Sequence, residues 1–128
     1  MTRFPRSMAM ALALSCLLLA VAGCVPPSEL PSDCDASQVE RSATLTDAGL
    51  DPDAIDVCKG QLVTLRIDVQ QAGELHLHGY LDQVPPREIA VGDALELVFT
   101  ASRAGQFPME LHGDSDEAEI AILTVHER

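Results

Sequence analysis

The stretch Glu74-Leu75-His76-Leu77-His78-Gly79-Tyr80 decides how the rest of the chain is interpreted. Two leucines alternate with two histidines, and this period of two is typical of a β-strand. Side chains two residues apart point to the same face of a strand, so we expect the histidines and the tyrosine to share one face. Gly79 indicates a bend or a close backbone approach. Two imidazoles on one face are able to bind a metal ion and equally suit a polar outer face over a leucine core, so both interpretations stand at this point.

Short apolar alternations of the same kind continue along the chain, separated by Gly, Pro and Asp turn signals. The segment 47–56 is rich in those turn residues and predicts a loop, with or without a short turn of helix. Short strands with regular turn signals predict an all-β antiparallel sandwich or barrel. The predicted strands are 39–45, 62–69, 74–80, 88–91, 95–100, 107–112 and 119–126.

Composition excludes several classes of function. The 128 residues carry a formal net charge of −12, which argues against binding of nucleic acid and of anionic lipid through basic side chains. Aromatic residues are only 3% of the chain, too few for stacking platforms. Ser115 lies near His112 and Asp114, but no nucleophile elbow surrounds it, and we predict that the protein is not an enzyme. The acidic residues from Asp114 to Glu119 predict a solvated face rather than a calcium loop.

The N-terminus predicts export and a lipid anchor. Residues 1–23 read as a signal peptide, with Arg3 and Arg6 before the apolar segment 8–22. The sequence Val21-Ala22-Gly23-Cys24 resembles the lipobox of bacterial lipoproteins. This resemblance implies cleavage before Cys24, a diacylglycerol on its thiol, and an extracytoplasmic protein held to a membrane by lipid. That location is the periplasmic side or the cell surface. The alternative is an ordinary signal peptide with an incidental cysteine.

The lipoprotein resemblance sorts the four cysteines. Cys16 leaves with the signal peptide and Cys24 is acylated, so Cys34 and Cys58 remain. In an oxidising compartment we predict a disulfide between them, with two free thiols or a metal-binding pair as alternatives. The segment 24–37 is rich in proline and acidic residues and predicts an extended tether, followed by one domain at 38–128.

The order of motifs resembles the cupredoxin fold, and is similar to the cupredoxin-like domains of secreted bacterial proteins, including EfeO-type iron-uptake proteins. The resemblance implies a Greek-key β-sandwich. In that family a blue-copper ion is held by a histidine, then a cysteine, a second histidine and a methionine. His78 matches the first histidine, but Leu111 stands where the cysteine is expected, so blue-copper electron transfer is not expected. The motifs that carry the resemblance are Lys59-Gly60-Gln61-Leu62-Val63-Thr64-Leu65, Leu77-His78-Gly79-Tyr80, Leu95-Glu96-Leu97-Val98-Phe99-Thr100-Ala101, Ala104-Gly105-Gln106-Phe107 and Ile120 to Val125.

Two hypotheses of function follow from this resemblance. The first is metal handling, with copper as the expected cofactor, held at one pole of the sandwich by His78 and His112 with His76 or Met109 as further ligands. Imidazole suits Cu(II) and thioether suits Cu(I). For Met109 the alternative is a core residue, and for the histidines a solvated surface. The second hypothesis is a metal-free interaction module of the cell envelope, in which Tyr80 and the acidic rim contact a protein partner.

Overall fold

A computed structural model describes residues 29–128. The predicted signal peptide, the predicted lipidation site Cys24 and the first residues of the predicted tether lie outside this range. The described part of the chain includes no helix long and apolar enough to cross a membrane. Its strands are β1 (Gln38–Thr46), β2 (Gly49–Asp51), β3 (Ala54–Cys58), β4 (Leu62–Val69), β5 (Gly73–Leu77), β6 (Arg87–Ile89), β7 (Ala94–Thr100), β8 (Gly105–His112) and β9 (Glu117–His126).

These strands form two sheets that pack face to face. One sheet has the order β2-β1-β4-β7 and the other the order β3-β9-β8-β5-β6. The predicted all-β sandwich is confirmed, but the expectation of purely antiparallel pairing was wrong. β1 pairs with β4, and β3 with β9, in parallel. After β1 and β2 the chain crosses to the other sheet, where it forms β3. It then returns to the first sheet as β4, which runs parallel to β1.

The strands form where apolar side chains alternate with polar ones. In β4 and β7 every second residue is buried, for example Leu65 opposite Leu97, while Arg66 faces solvent and pairs with Glu40 and Glu96. The buried faces of both sheets meet in one core. Burying alternate apolar side chains removes their surface from water, which is the main favourable term for folding.

The segment 47–56 is not the loop that its Asp, Gly and Pro content predicts. It contributes β2 and the first part of β3, each short. Leu50 is buried from β2, and Ile55 is buried from β3 beside Val57. Strands this short show too few alternations for a pattern, and pairing with β1 and β9 stabilises them.

Tyr80 does not share the face of the two histidines. β5 ends at Leu77, and Gly79 has a φ of +80°, a conformation that glycine adopts without strain. The chain turns there, and the Tyr80 side chain lies fully buried against Phe99 and Phe107. Its hydroxyl donates a hydrogen bond to the Arg103 carbonyl oxygen at 3.0 Å. The prediction that Tyr80 contacts a protein partner was therefore wrong.

The N-terminal turn is fastened to the sandwich. Cys34 and Cys58 form the predicted disulfide. The Gln61 side chain is fully buried, and its Nε2 donates hydrogen bonds to the carbonyl oxygens of Asp33 at 2.8 Å and Ala36 at 3.0 Å. The last residues of the tether predicted over 24–37 are therefore bonded to the domain, from Asp33 to Ser37.

We expect loss of the disulfide to destabilise the domain by about 3 kcal/mol, because the bond closes a loop between residues 24 positions apart and restricts the unfolded chain. The measurement is urea unfolding of the Cys34→Ser/Cys58→Ser double variant against the wild-type chain. The single variants are not suitable because each leaves a reactive thiol. A double variant with unchanged free energy of unfolding would contradict the prediction.

The ion pair between Asp33 and Arg41 makes stability depend on pH. The guanidinium donates to both carboxylate oxygens, at 2.9 and 3.0 Å, and these bonds hold the pKa of Asp33 below its ordinary value of 3.8. A lowered folded-state pKa stabilises the fold at pH values above 3.8, and this contribution disappears as the pH falls through the folded-state pKa. We expect Asp33→Asn to unfold more easily than wild type at pH 7 but not at pH 2, in urea melts at both pH values.

Candidate metal centre

Three histidines and three glutamates lie together on the outer face of the five-stranded sheet. β5 and β8 are antiparallel, and their register places Glu74 opposite His112 and His76 opposite Glu110. Directly opposite residues on paired strands share a face. The alternate residues of both strands, such as Leu75 and Leu111, are buried in the core. The polar side of the strand pair is therefore a continuous layer of imidazole and carboxylate groups.

The imidazoles of His76 and His112 stack on each other. Their ring centroids are 4.0 Å apart and the planes differ by 5°. His76 Nε2 donates a hydrogen bond to Glu74 Oε1 at 2.6 Å, since an ionised carboxylate only accepts. The stack and this bond hold the two rings side by side across the β5–β8 strand pair.

Glu110 joins the other two imidazoles. Its Oε2 accepts hydrogen bonds from Nε2 of His78 at 2.6 Å and from Nε2 of His112 at 3.3 Å. These bonds, led by the one from His78, hold the pKa of Glu110 below its ordinary value of 4.5. Glu117 lies on the far side, with its Oε2 at 3.6 Å from Nε2 of His112.

Within residues 29–128, two sets of three side chains offer ligand atoms within 4.8 Å of one another. One set is Glu74, His76 and His112, and the other is Glu110, His112 and Glu117. Ligand atoms on a single ion, each about 2 Å from it, lie at most about 4 Å apart. Small side-chain rotations therefore close either set around an ion. Imidazole and carboxylate donors suit Zn²⁺, Cu²⁺ and similar divalent ions.

The fold is similar to solved structures of copper proteins. A blue copper oxidase from Nitrosomonas europaea matches with a TM-score of 0.59 and 18% identity, over 71% of this chain and 39% of the oxidase. A copper binding protein in its apo form matches with a TM-score of 0.56 and 15% identity, over 71% of this chain and 90% of that protein. The metal binding domain of the Cu(I) exporting P-type ATPase CopA from Streptococcus pneumoniae D39 matches with a TM-score of 0.54 and 13% identity, over 71% and 88%.

The chain has a cupredoxin-like fold. No protein-family model matches it, and no curated protein matches its sequence. The predicted cupredoxin-like β-sandwich is thus confirmed. Because the sequence identities to these structures are low, the similarity shows the fold alone.

The cupredoxin-like sandwich does not fit a blue-copper ion. Such an ion needs a cysteine thiolate with two imidazoles. In the described range both cysteines, Cys34 and Cys58, are joined in the disulfide. Leu111, where the thiolate was expected, is buried in the core. Without a thiolate ligand, the described residues cannot hold a blue-copper ion for electron transfer.

The structure pairs the histidines differently from the sequence prediction. His78 and His112 were placed at one pole, but antiparallel strands put them at opposite ends of the β5–β8 ladder. The backbone N–H of His78 donates to the carbonyl oxygen of Pro108 at 3.0 Å, whereas His112 lies opposite Glu74. The ring beside His112 is His76, and His78 reaches it only through Glu110.

Met109 and His126 lie apart from this cluster. Met109 is fully buried between the sheets, on the face opposite the imidazoles, so the prediction of Met109 as an additional ligand was wrong. A methionine that alternates with buried neighbours fills the core. His126 lies on β9, where its Nε2 donates to Asp56 Oδ1 at 2.8 Å.

The sequence prediction missed the three glutamates. Glu74-Leu75-His76 and Glu110-Leu111-His112 share one pattern, with an acid and a histidine two residues apart on a strand. Side chains two apart share a face, so this repeated pattern contained a detectable signal. Glu117 carried no such signal, because only the β8–β9 register places it opposite His112.

Proposed function

We propose that the protein is a lipid-anchored envelope protein that binds and passes on divalent copper, without blue-copper electron transfer. The observation that carries the metal proposal is the set Glu74, His76 and His112, whose ligand atoms lie within 4.8 Å of one another on the outer face of the sheet. His112 is partly exposed there, so an ion can reach the cluster from solvent.

The donor atoms of the cluster favour Cu(II) over Cu(I) and over the other divalent first-row metal ions. All six side chains of the cluster offer nitrogen or oxygen, and the thioether of Met109 points into the core. Such ligands favour Cu(II) over the softer Cu(I), and Cu(II) binds most tightly of the divalent first-row ions. The similarity to a copper binding protein and to a metal binding domain of a Cu(I) exporting ATPase further supports copper.

The lipid anchor would hold the metal face near a membrane. In this proposal Cys24 carries the lipid and Cys34 is fastened to the sandwich by the disulfide. The nine residues between Cys24 and Cys34 make ten Cα–Cα steps, which reach at most about 35 Å when fully extended. The test is labelling with a palmitate analogue in cells: we expect label in the wild-type chain and none in Cys24→Ser. Equal labelling of both would overturn the anchor.

The metal proposal is tested by titrating the purified full chain with Cu(II) in detergent, after alkylation of any free thiol. Electron paramagnetic resonance reports bound Cu(II), and a competing chelator gives the affinity. His126→Ala is the matched control, because His126 lies outside the cluster. We expect one tightly bound Cu(II) per chain in the wild-type protein and in His126→Ala. Binding no tighter than that of scattered surface histidines would overturn the metal function.

A further inference from the structure

His112 belongs to both sets of ligands in the cluster. Its ring stacks on His76 on one side, and its Nε2 lies 3.3 Å from Glu110 and 3.6 Å from Glu117 on the other. We call Glu74, His76 and His112 the inner set, and Glu110, His112 and Glu117 the outer set. The two sets are therefore neighbours that share a single side chain.

A shared histidine prevents both sets from being filled at once. A neutral imidazole has one protonated and one unprotonated ring nitrogen, and only the unprotonated nitrogen can bind an ion. Two cations a few ångströms apart would also repel each other. An ion in the outer set therefore leaves the inner set without its third ligand, and the reverse holds too.

The two sets differ in exposure and in donor type. The Glu117 side chain is 59% exposed, whereas that of His76 is 16% exposed. The outer set offers two carboxylates and one imidazole, and the inner set offers one carboxylate and two imidazoles. Carboxylates attract cations from solvent, and nitrogen-rich ligands bind Cu(II) more tightly. An open cleft lined by Glu74, His112, Gly113 and Asp116 gives solvent access beside the shared ring.

We propose that one ion uses the two sets in sequence, first the outer set and then the inner set, with His112 as the ligand that it keeps. This inference rests on the proposed function. As the ion moves, His76 and Glu74 replace the carboxylates of Glu110 and Glu117. Before Nε2 of a ring binds the ion, its proton moves through water to Nδ1 of the same ring, first in His112 and then in His76, so each imidazole stays neutral. No bond to carbon forms or breaks, and the oxidation state of the ion is unchanged.

The test compares rates with affinities in the thiol-alkylated full chain. Stopped-flow transfer of Cu(II) from a chromogenic chelator gives the association rate, and the equilibrium of the same reaction gives the affinity. We expect Glu117→Gln to slow association by about 10-fold while the affinity changes little. We expect His76→Ala to weaken binding by about 10-fold or more with a nearly unchanged association rate. Glu127→Gln removes an equal charge beyond the cluster, where Glu127 pairs with Lys59, and should change neither quantity.

A spectroscopic count of imidazoles separates the two positions. Electron spin echo measurements on bound Cu(II) should show two imidazoles in the wild-type chain and one in His76→Ala, where the ion remains in the outer set. Two Cu(II) ions per chain, or a Glu117→Gln rate equal to that of Glu127→Gln, would overturn the inference alone. A wild-type chain without a tightly bound Cu(II) would overturn the proposed function and the inference together.

Discussion

Replacing His112 by alanine is expected to weaken Cu(II) binding by more than about 100-fold, a larger loss than for any other single histidine. The reason is that His112 is the one side chain common to both ligand sets. Removing it also leaves His76 without the ring that stacks on it. The measurement is competition with a chelator of known affinity, on the full chain with its thiols blocked.

Two further variants make this prediction specific. His126→Ala should bind Cu(II) as the wild type does, because His126 pairs with Asp56 outside the cluster. His78→Ala should slow association but change the affinity little, because His78 acts through its hydrogen bond to Glu110, which belongs to the outer set. If His112→Ala kept the affinity of His126→Ala, the cluster would not be the metal site. Thermal melts of all three variants check that each one folds.

Replacing Tyr80 by alanine is expected to destabilise the domain by about 3–5 kcal/mol, the range for deleting a large buried ring. The Tyr80 ring is fully buried, with its centroid 5.1 Å from that of Phe99 and 5.0 Å from that of Phe107. The edge-to-face contact with Phe107 adds to the burial of apolar area. For about 100 residues such a loss lowers the melting temperature by at least about 12 °C.

Tyr80→Phe and Leu81→Ala are the matched comparisons. Tyr80→Phe keeps the ring and loses only the hydrogen bond to the Arg103 carbonyl oxygen, so we expect a loss of about 1 kcal/mol. Leu81 is the next residue and is exposed, so Leu81→Ala should cost less than about 1 kcal/mol. A Tyr80→Ala variant as stable as Leu81→Ala would mean that the tyrosine faces solvent, as the strand pattern alone suggested.

Most long strands were predictable from sequence, because burial of every second side chain stabilises them and this alternation appears in the sequence itself. In β4 and β7 every second residue is apolar and buried, and the predicted bounds agree with the structure in β4 and to within one residue in β7. The pairing of Cys34 with Cys58 was also predictable, because the lipoprotein resemblance left two cysteines for an oxidising compartment. The absence of a cysteine after Cys58 also argues, from the sequence alone, against a blue-copper site.

The sequence could not show which residues become neighbours across strands. Period two placed His76 and His78 on one face, and their ring centroids do lie 6.2 Å apart on the same side of the sheet. The same periodicity could not show that the chain turns at Gly79 and places Tyr80 in the core. Glycine adopts positive and negative φ equally well, so its presence alone does not predict the positive φ found at Gly79.

By itself, then, the sequence determined the all-β class, the disulfide partners and the side of the sheet on which the imidazoles lie. Only the tertiary structure decided that His76, rather than His78, stacks on His112, and that three glutamates complete the cluster. The physical reason is that strand periodicity is a local property of the chain. Strand register, in contrast, depends on how the whole core packs, and a shift of one residue would have exchanged every neighbour.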